Sequence, residues 1–184
     1  VLRALEIIDG LGFDGVEICL ENEDVAPGFL SPEKIGAVRQ LVTELGLSPH
    51  SISYHQDYVY NEAYREATKQ AIEMTPEFGT DIFVFSGPPK RTGDEKEWSL
   101  MVEHTRELAD VAELAGVVLA EEFEPNFVVG STADLLRLFE EVDSPALAAN
   151  LDLGHVFLCD PDPIHVIHQV GEKIVHCHIE NMAE

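Results

Sequence analysis

The sequence predicts an α/β fold in which strands and helices alternate to build a parallel sheet covered by helices, and three observations carry that prediction. Short strand-like runs recur about every thirty residues, each is preceded by a stretch with apolar residues at three- and four-residue spacing, and nearly every turn between them carries a helix-stopping residue. The first helical stretch, with Leu2, Leu5 and Ile8 on one face, stops at Gly12 and leads to a strand over 15–20. Ser31-Pro32-Glu33-Lys34 opens the second helix as a capping residue followed by an acid; it stops at Gly46 before a strand over 50–54. The third stops at Gly79 before a strand over 81–86. The fourth, with Leu108, Val111 and Leu114 in phase, stops at Gly116 before a strand over 117–123. Ser131-Thr132-Ala133-Asp134 opens the fifth, Asp143-Ser144-Pro145 ends it with proline as the stop, and a strand over 146–152 follows. The sixth stops at Gly171 before a strand over 174–179. Such a series closes into a barrel or stays an open doubly wound sheet. Six units fall about two short of an eight-stranded (β/α)8 barrel of roughly 250 residues, so the expectation is a single domain over 1–184 truncated to about six units, its first and last strands missing.

Composition narrows the function. Acidic residues outnumber basic ones 35 to 11, for a formal charge of -24, which repels a polyphosphate backbone and argues against general nucleic-acid binding. No apolar run approaches the roughly 18 residues of a membrane span, and no charged-then-apolar leader opens the sequence, so no membrane partner and a cytoplasmic location are expected. Cys19, Cys159 and Cys177 are far apart and form no CxxC pair, which indicates neither a disulfide framework nor a thiolate zinc site. The segment 10–15 fits GxGxxG, but it closes a helix and enters a strand, the reverse of the order in which that fingerprint cradles a pyrophosphate.

In folds of this class the working residues lie at the C-terminal ends of strands. Those ends carry Tyr54-His55-Gln56-Asp57, Glu121-Glu122-Phe123-Glu124, Asp152-Leu153-Gly154-His155 and His176-Cys177-His178-Ile179-Glu180. Carboxylate with imidazole and no thiolate suits a divalent ion such as Mn, Mg, Co or Zn, with positions left open for water or substrate. Alternation places Val118, Ala120, Glu122 and Glu124 on one face, and small residues belong inside beside a ligand, so Glu122 points inward and Glu121 toward the helices. Ala148, Asn150 and Asp152 are in phase, with His155 in the loop beyond. His176 and His178 are also in phase, the deeper His176 as a hydrogen-bonded packing residue and Cys177 outward in the helix layer. His50 begins its strand at the far end, while His104, His165 and His168 fall on helices as surface or packing residues. Lys90 and Arg91 read as a solvated turn or a contact for an anionic substrate, and Trp98 as a helix anchor or a lid.

Over nearly its whole length the sequence resembles the xylose isomerase-like TIM barrels, particularly the sugar phosphate isomerase/epimerase group. The pieces that carry this are Gly12-Phe13-Asp14-Gly15-Val16-Glu17-Ile18, His55, Val84-Phe85-Ser86-Gly87, Gly116-Val117-Val118-Leu119-Ala120-Glu121-Glu122, Asn150-Leu151-Asp152-Leu153-Gly154-His155 and His176-Cys177-His178-Ile179-Glu180-Asn181. The resemblance implies a divalent metal ion held by Glu122, Asp152 and His178; the family's fourth ligand, a Glu on the last strand, has no counterpart here. It implies further that His155 touches substrate or a second metal, that His55 lines the same pocket, where alternation puts Glu124 beyond Glu122 near the rim as a substrate contact, and that Asn181 stands where relatives often carry an acid. The implied reaction is a sugar or sugar-phosphate isomerisation or epimerisation by proton abstraction next to a carbonyl through a metal-bound enediolate, with Glu122 as ligand and acid/base partnered by the missing Glu, and His155 stabilising the charge that develops on the enediolate oxygen. An inosose dehydratase-like lyase and a non-catalytic sugar- or metal-binding module are the alternatives. DNA cleavage at abasic sites, which occurs on the same fold, is disfavoured by the charge. The expected partner is a small sugar or polyol, and self-association into a homo-oligomer is left open.

Overall fold

The computed structural model describes residues 1–22 and 24–180. Its six strands, β1 (Gly15–Cys19), β2 (Ser48–Ser53), β3 (Ile82–Phe85), β4 (Val118–Glu121), β5 (Leu147–Asp152) and β6 (Ile174–His178), form one parallel sheet in sequential order. That order, without a reversal point, is the order of a barrel rather than of a doubly wound sheet. The helices α1 (Leu2–Gly10), α2 (Pro32–Glu44), α3 (Glu62–Phe78), α4 (Glu95–Ala115), α5 (Thr132–Val142), α6 (Leu153–Cys159) and α7 (Pro163–Val170) complete a TIM-barrel-like α/β fold that is truncated relative to a full barrel. No helix among the described residues is long and apolar enough to cross a membrane.

Each element follows from local signals. Ser31 and Ser131 cap α2 and α5 by accepting the N–H of Lys34 and Asp134, as their spacing predicts. Gly79 and Gly116 end α3 and α4 in the left-handed conformation. The stop of α5 differs from expectation: Asp143 itself adopts φ 53°, ahead of Pro145. The helix-facing side of the sheet carries Ile52, Phe83, Phe85, Leu119 and Leu151, which with Ile72, Met101, Leu108, Leu135 and Leu138 form the core. Each such side chain contributes on the order of 1.5–3 kcal/mol on burial. Trp98 anchors α4 to α5, since its Nε1 donates to Glu141 at 3.1 Å and Arg137 stacks over its ring.

Two register shifts decide what the other side of the sheet presents. Ala149 pairs with Ile174 and Asn150 with His176, so Val175 is an extra residue that brings His176 and His178 level with Asn150 and Asp152. Between β1 and β2 the extra residue is His50, after which Glu17 pairs with Ser51. The His50 ring lies over Gly15, where any Cβ would collide with it. Two expectations need correction. His155 is not in a loop: Asp152 caps α6, and His155 sits in its first turn. Cys177 points away from the inner face but is exposed rather than covered by helices. Asn181 lies outside the described residues.

Candidate metal centre

Three side chains from three strand ends converge. Glu122, just past β4, Asp152 at the end of β5 and His178 at the end of β6 each offer a ligand atom, all within 4.8 Å of one another. His178 Nδ1 lies 3.2 Å from Glu122 Oε2 and 3.9 Å from Asp152 Oδ2. Both carboxylates are buried. Asp152 divides its oxygens: Oδ1 accepts the N–H groups of Gly154 and His155 at 2.7 and 3.1 Å as a helix cap, whereas Oδ2 is buried and has no hydrogen-bond partner. A buried carboxylate oxygen without a partner costs about 1–3 kcal/mol, and a cation at this position would offset that cost. Two carboxylate oxygens and one imidazole nitrogen suit a borderline or hard divalent ion.

The surrounding groups hold the cluster in place. Asn150 Nδ2 donates to Glu122 Oε2 at 2.7 Å, so its carbonyl oxygen accepts from His176 Nδ1 at 3.0 Å. His55 Nδ1 lies 3.0 Å from Ser86 Oγ, which leaves Nε2 at 4.0 Å from Glu122 Oε2. His155 Nδ1 donates to the carbonyl oxygen of Phe123 at 3.0 Å and sits 3.6 Å from Glu122 Oε1. Burial alone would raise the Glu122 carboxyl, but the hydrogen bond from His178, the charge of His55 and the Asn150 amide outweigh it and hold the pKa below the usual carboxylate range. Hydrogen bonds to Glu122 and Glu17 hold His178 protonated up to about 10, against the opposing effect of burial.

The structure thus brings Glu122, Asp152, His178, His55 and His155 within reach of one another, with Glu124 in the turn beyond β4. β4 ends at Glu121, and the chain then turns, with Phe127 N–H on the Glu124 carbonyl; Glu124 belongs to none of the ligand groups that converge. Arg91 lies in the loop after β3. It pairs with Asp57 at 2.6 Å and stacks 3.7 Å from the Tyr60 ring centroid, tying the loop after β3 to the loop after β2. Two residues escaped the sequence reading. Glu17 lies in the middle of β1 with its carboxylate against Ser51 and His178, in a second converging group with His176 and His178. Glu180 converges with Asp152 and His155. The signal for Glu17 was available: a charged residue between Val16 and Ile18 in a parallel strand needs a buried partner.

A family model described as xylose isomerase-like TIM barrel matches residues 5–183. The chain belongs to that family. Among curated relatives it is 23% identical over 130 residues to an inosose dehydratase of Geobacillus thermodenitrificans, a match covering 70% of this chain and 42% of the relative. The matched part is thus less than half of that relative's length. Among solved structures it is similar to the 3-keto-D-glucoside 4-epimerase of E. coli, with a TM-score of 0.82, 19% identity, and coverage of 98% of this chain and 73% of that one. A xylose isomerase-like TIM barrel protein of Mycobacterium smegmatis, solved in complex with magnesium, superimposes with a TM-score of 0.80 and 23% identity over 98% of this chain and 66% of that one. The family thus spans epimerases and dehydratases, and the relatives named by activity are enzymes.

Proposed function

We propose that this chain carries the divalent-metal site of a sugar or keto-polyol isomerase or epimerase, with Glu122, Asp152 and His178 as the ligands. The observation that carries the reading is the unpartnered Asp152 Oδ2, buried beside Glu122 Oε2 and His178 Nδ1. A divalent ion there supplies Lewis acidity, polarising a carbonyl and making the adjacent C–H more acidic. Glu122, held ionised at neutral pH, accepts that proton, and its Oε1 faces His155 rather than the ligand cluster. His155, fixed through its Nδ1–H, keeps Nε2 for exchange of a proton with a substrate hydroxyl. His55, oriented by Ser86, lines the same space and orients a hydroxyl.

Loss of water from an inosose is the second reading, favoured by the curated relative, and it begins with the same proton abstraction. Incubation of the chain with ketoses and inososes and Mn or Co in deuterated water separates the readings. Deuterium at the carbon next to the carbonyl, without a new chromophore, marks an isomerase or epimerase. An unsaturated product marks a dehydratase, and binding without deuterium uptake marks a non-catalytic module.

A further inference from the structure

The half-buried Glu17 carboxylate is a partner of His178 that neither the ligand cluster nor the proposed proton transfer uses. We propose that Glu17 is a positioning residue: it accepts the Nε2–H of His178 and thereby fixes the imidazole tautomer whose Nδ1 lone pair faces Glu122 and Asp152. This rests on the metal-site reading above.

The Glu17 edge of the ring selects the tautomer, and the Asn150 edge is compatible with it. On one side Glu17 Oε2 lies 3.4 Å from His178 Nε2, and a carboxylate only accepts, so Nε2 must carry a hydrogen. On the other side Asn150 Nδ2 lies 3.0 Å from His178 Nδ1. Asn150 Nδ2 is a donor, since it donates to Glu122, so among the described residues the only acceptor facing an Nδ1 hydrogen is Glu122 Oε2 at 3.2 Å, and that is the hydrogen a cation would replace. The ring is therefore set to receive a cation on the Nδ1 side once its second proton has left. Glu17 is itself held. Ser51 Oγ donates to its Oε2 at 2.5 Å, and the pairing of Glu17 with Ser51 follows from the extra residue His50 in β2. His176 closes the arrangement, 3.2 Å from Ser51 Oγ on one edge and bonded to Asn150 on the other. Polar contacts at 2.5–3.4 Å thus link β1, β2, β6 and β5 around the His178 ring. Carboxylates that orient a metal-bound imidazole in this way typically contribute 10–100-fold to metal affinity.

The test is titration calorimetry with Mn2+ alone on the wild-type chain and on Glu17→Met, Glu17→Gln and Ser51→Ala, together with 15N spectra of the histidine side chains of the Zn2+-loaded chain. Glu17→Met, of similar size but without an acceptor, is expected to weaken Mn2+ binding about 10–100-fold. Glu17→Gln, which keeps an acceptor oxygen, should lose less, and Ser51→Ala less still, about two- to fivefold. In the Zn2+-loaded wild type His178 should show a protonated Nε2 and a metal-bound Nδ1, and in Glu17→Met that Nε2–H signal should weaken or exchange. A purely structural role would lower stability without changing the tautomer. If wild-type chain binds Mn2+ and the variants bind it within twofold, or if the ion sits on His178 Nε2, this inference falls and the metal site stands. If wild-type binding is absent, or is unaffected by Asp152→Asn, both fall. Should Glu17→Met fail to fold, Ser51→Ala decides, and unchanged affinity there counts against the proposal.

Discussion

Glu121 and Glu122 are adjacent, both buried, and opposite in every electrostatic respect. Glu122 faces the inner side of the sheet, where Asn150, His178, His55 and His155 surround it and keep it ionised. Glu121 faces the helices, where the Gly87 N–H at 3.3 Å is its hydrogen-bond partner and Oε2 has none. Burial therefore pushes the Glu121 carboxyl well above the usual range; the Gly87 bond opposes this, and the nearby Glu124 and Glu122 charges add to it. The contrast teaches that side-chain alternation, not residue type, decides which acid can serve a cation. A carboxylate becomes a ligand where donors and imidazoles hold its charge, and a neutral filler where apolar groups surround it.

The largest effect expected from this contrast is at Glu122. Glu122→Gln should weaken Mn2+ binding by more than about 100-fold and abolish proton exchange, whereas Glu121→Gln should change affinity less than about twofold. Calorimetry on the two variants side by side checks this, and comparable losses would erase the distinction. The next effect is that of pH. His178 keeps its proton up to about 10, so an ion must displace that proton over the neutral range. Apparent metal affinity should rise about tenfold per pH unit from pH 7 to 9 and level off above 10, with close to one proton released per ion. Calorimetry in buffers of different ionisation enthalpy counts that proton; a flat profile would break the link between His178 and the ion.

Smaller effects test the outer face. Glu121 holds a proton that the unfolded chain releases near 4.5, so its stability contribution is present below pH 4.5 and lost as pH rises toward the raised folded value. Glu121→Gln cannot ionise, and its stability relative to wild type should grow as pH rises above 5, by up to about 1.4 kcal/mol per pH unit until the raised folded value is reached, measured by denaturant unfolding across that range. Smallest is the rim. Tyr60 donates to Glu97 at 2.5 Å, and Glu97 also accepts the backbone N–H groups of Arg91, Thr92 and Gly93. Tyr60→Phe should cost about 0.5–1.5 kcal/mol in denaturant unfolding and leave metal affinity unchanged.

The strands were legible because each has an apolar run, a preceding amphipathic helix and a stop residue; those signals left their order in the sheet between a barrel and a doubly wound sheet, and the resemblance supplied it. The strand ends were less legible. β4 ends at Glu121 instead of running on to 123, because the chain turns at Glu124 to hydrogen-bond Phe127 and Val129. The short helix α6 was missed because Asp152 is both the last residue of β5 and the cap of that helix, a double role that periodicity does not show. Phase put Glu122, Asp152 and His178 on the inner face, and the resemblance singled them out as one ligand set. Glu17 was not singled out, because its partners Ser51 and His178 lie 34 and 161 residues away along the chain. The extra residues Val175 and His50, which set the register that brings these groups level, leave no mark in a pattern of alternation.

Anomalous diffraction at the manganese edge from crystals of the chain soaked in Mn2+ tests the central claim most directly. The geometry predicts one dominant peak about 2.0–2.3 Å from Asp152 Oδ2, a Glu122 carboxylate oxygen and His178 Nδ1. A peak elsewhere, with Asp152 Oδ2 still lacking a partner, would contradict it.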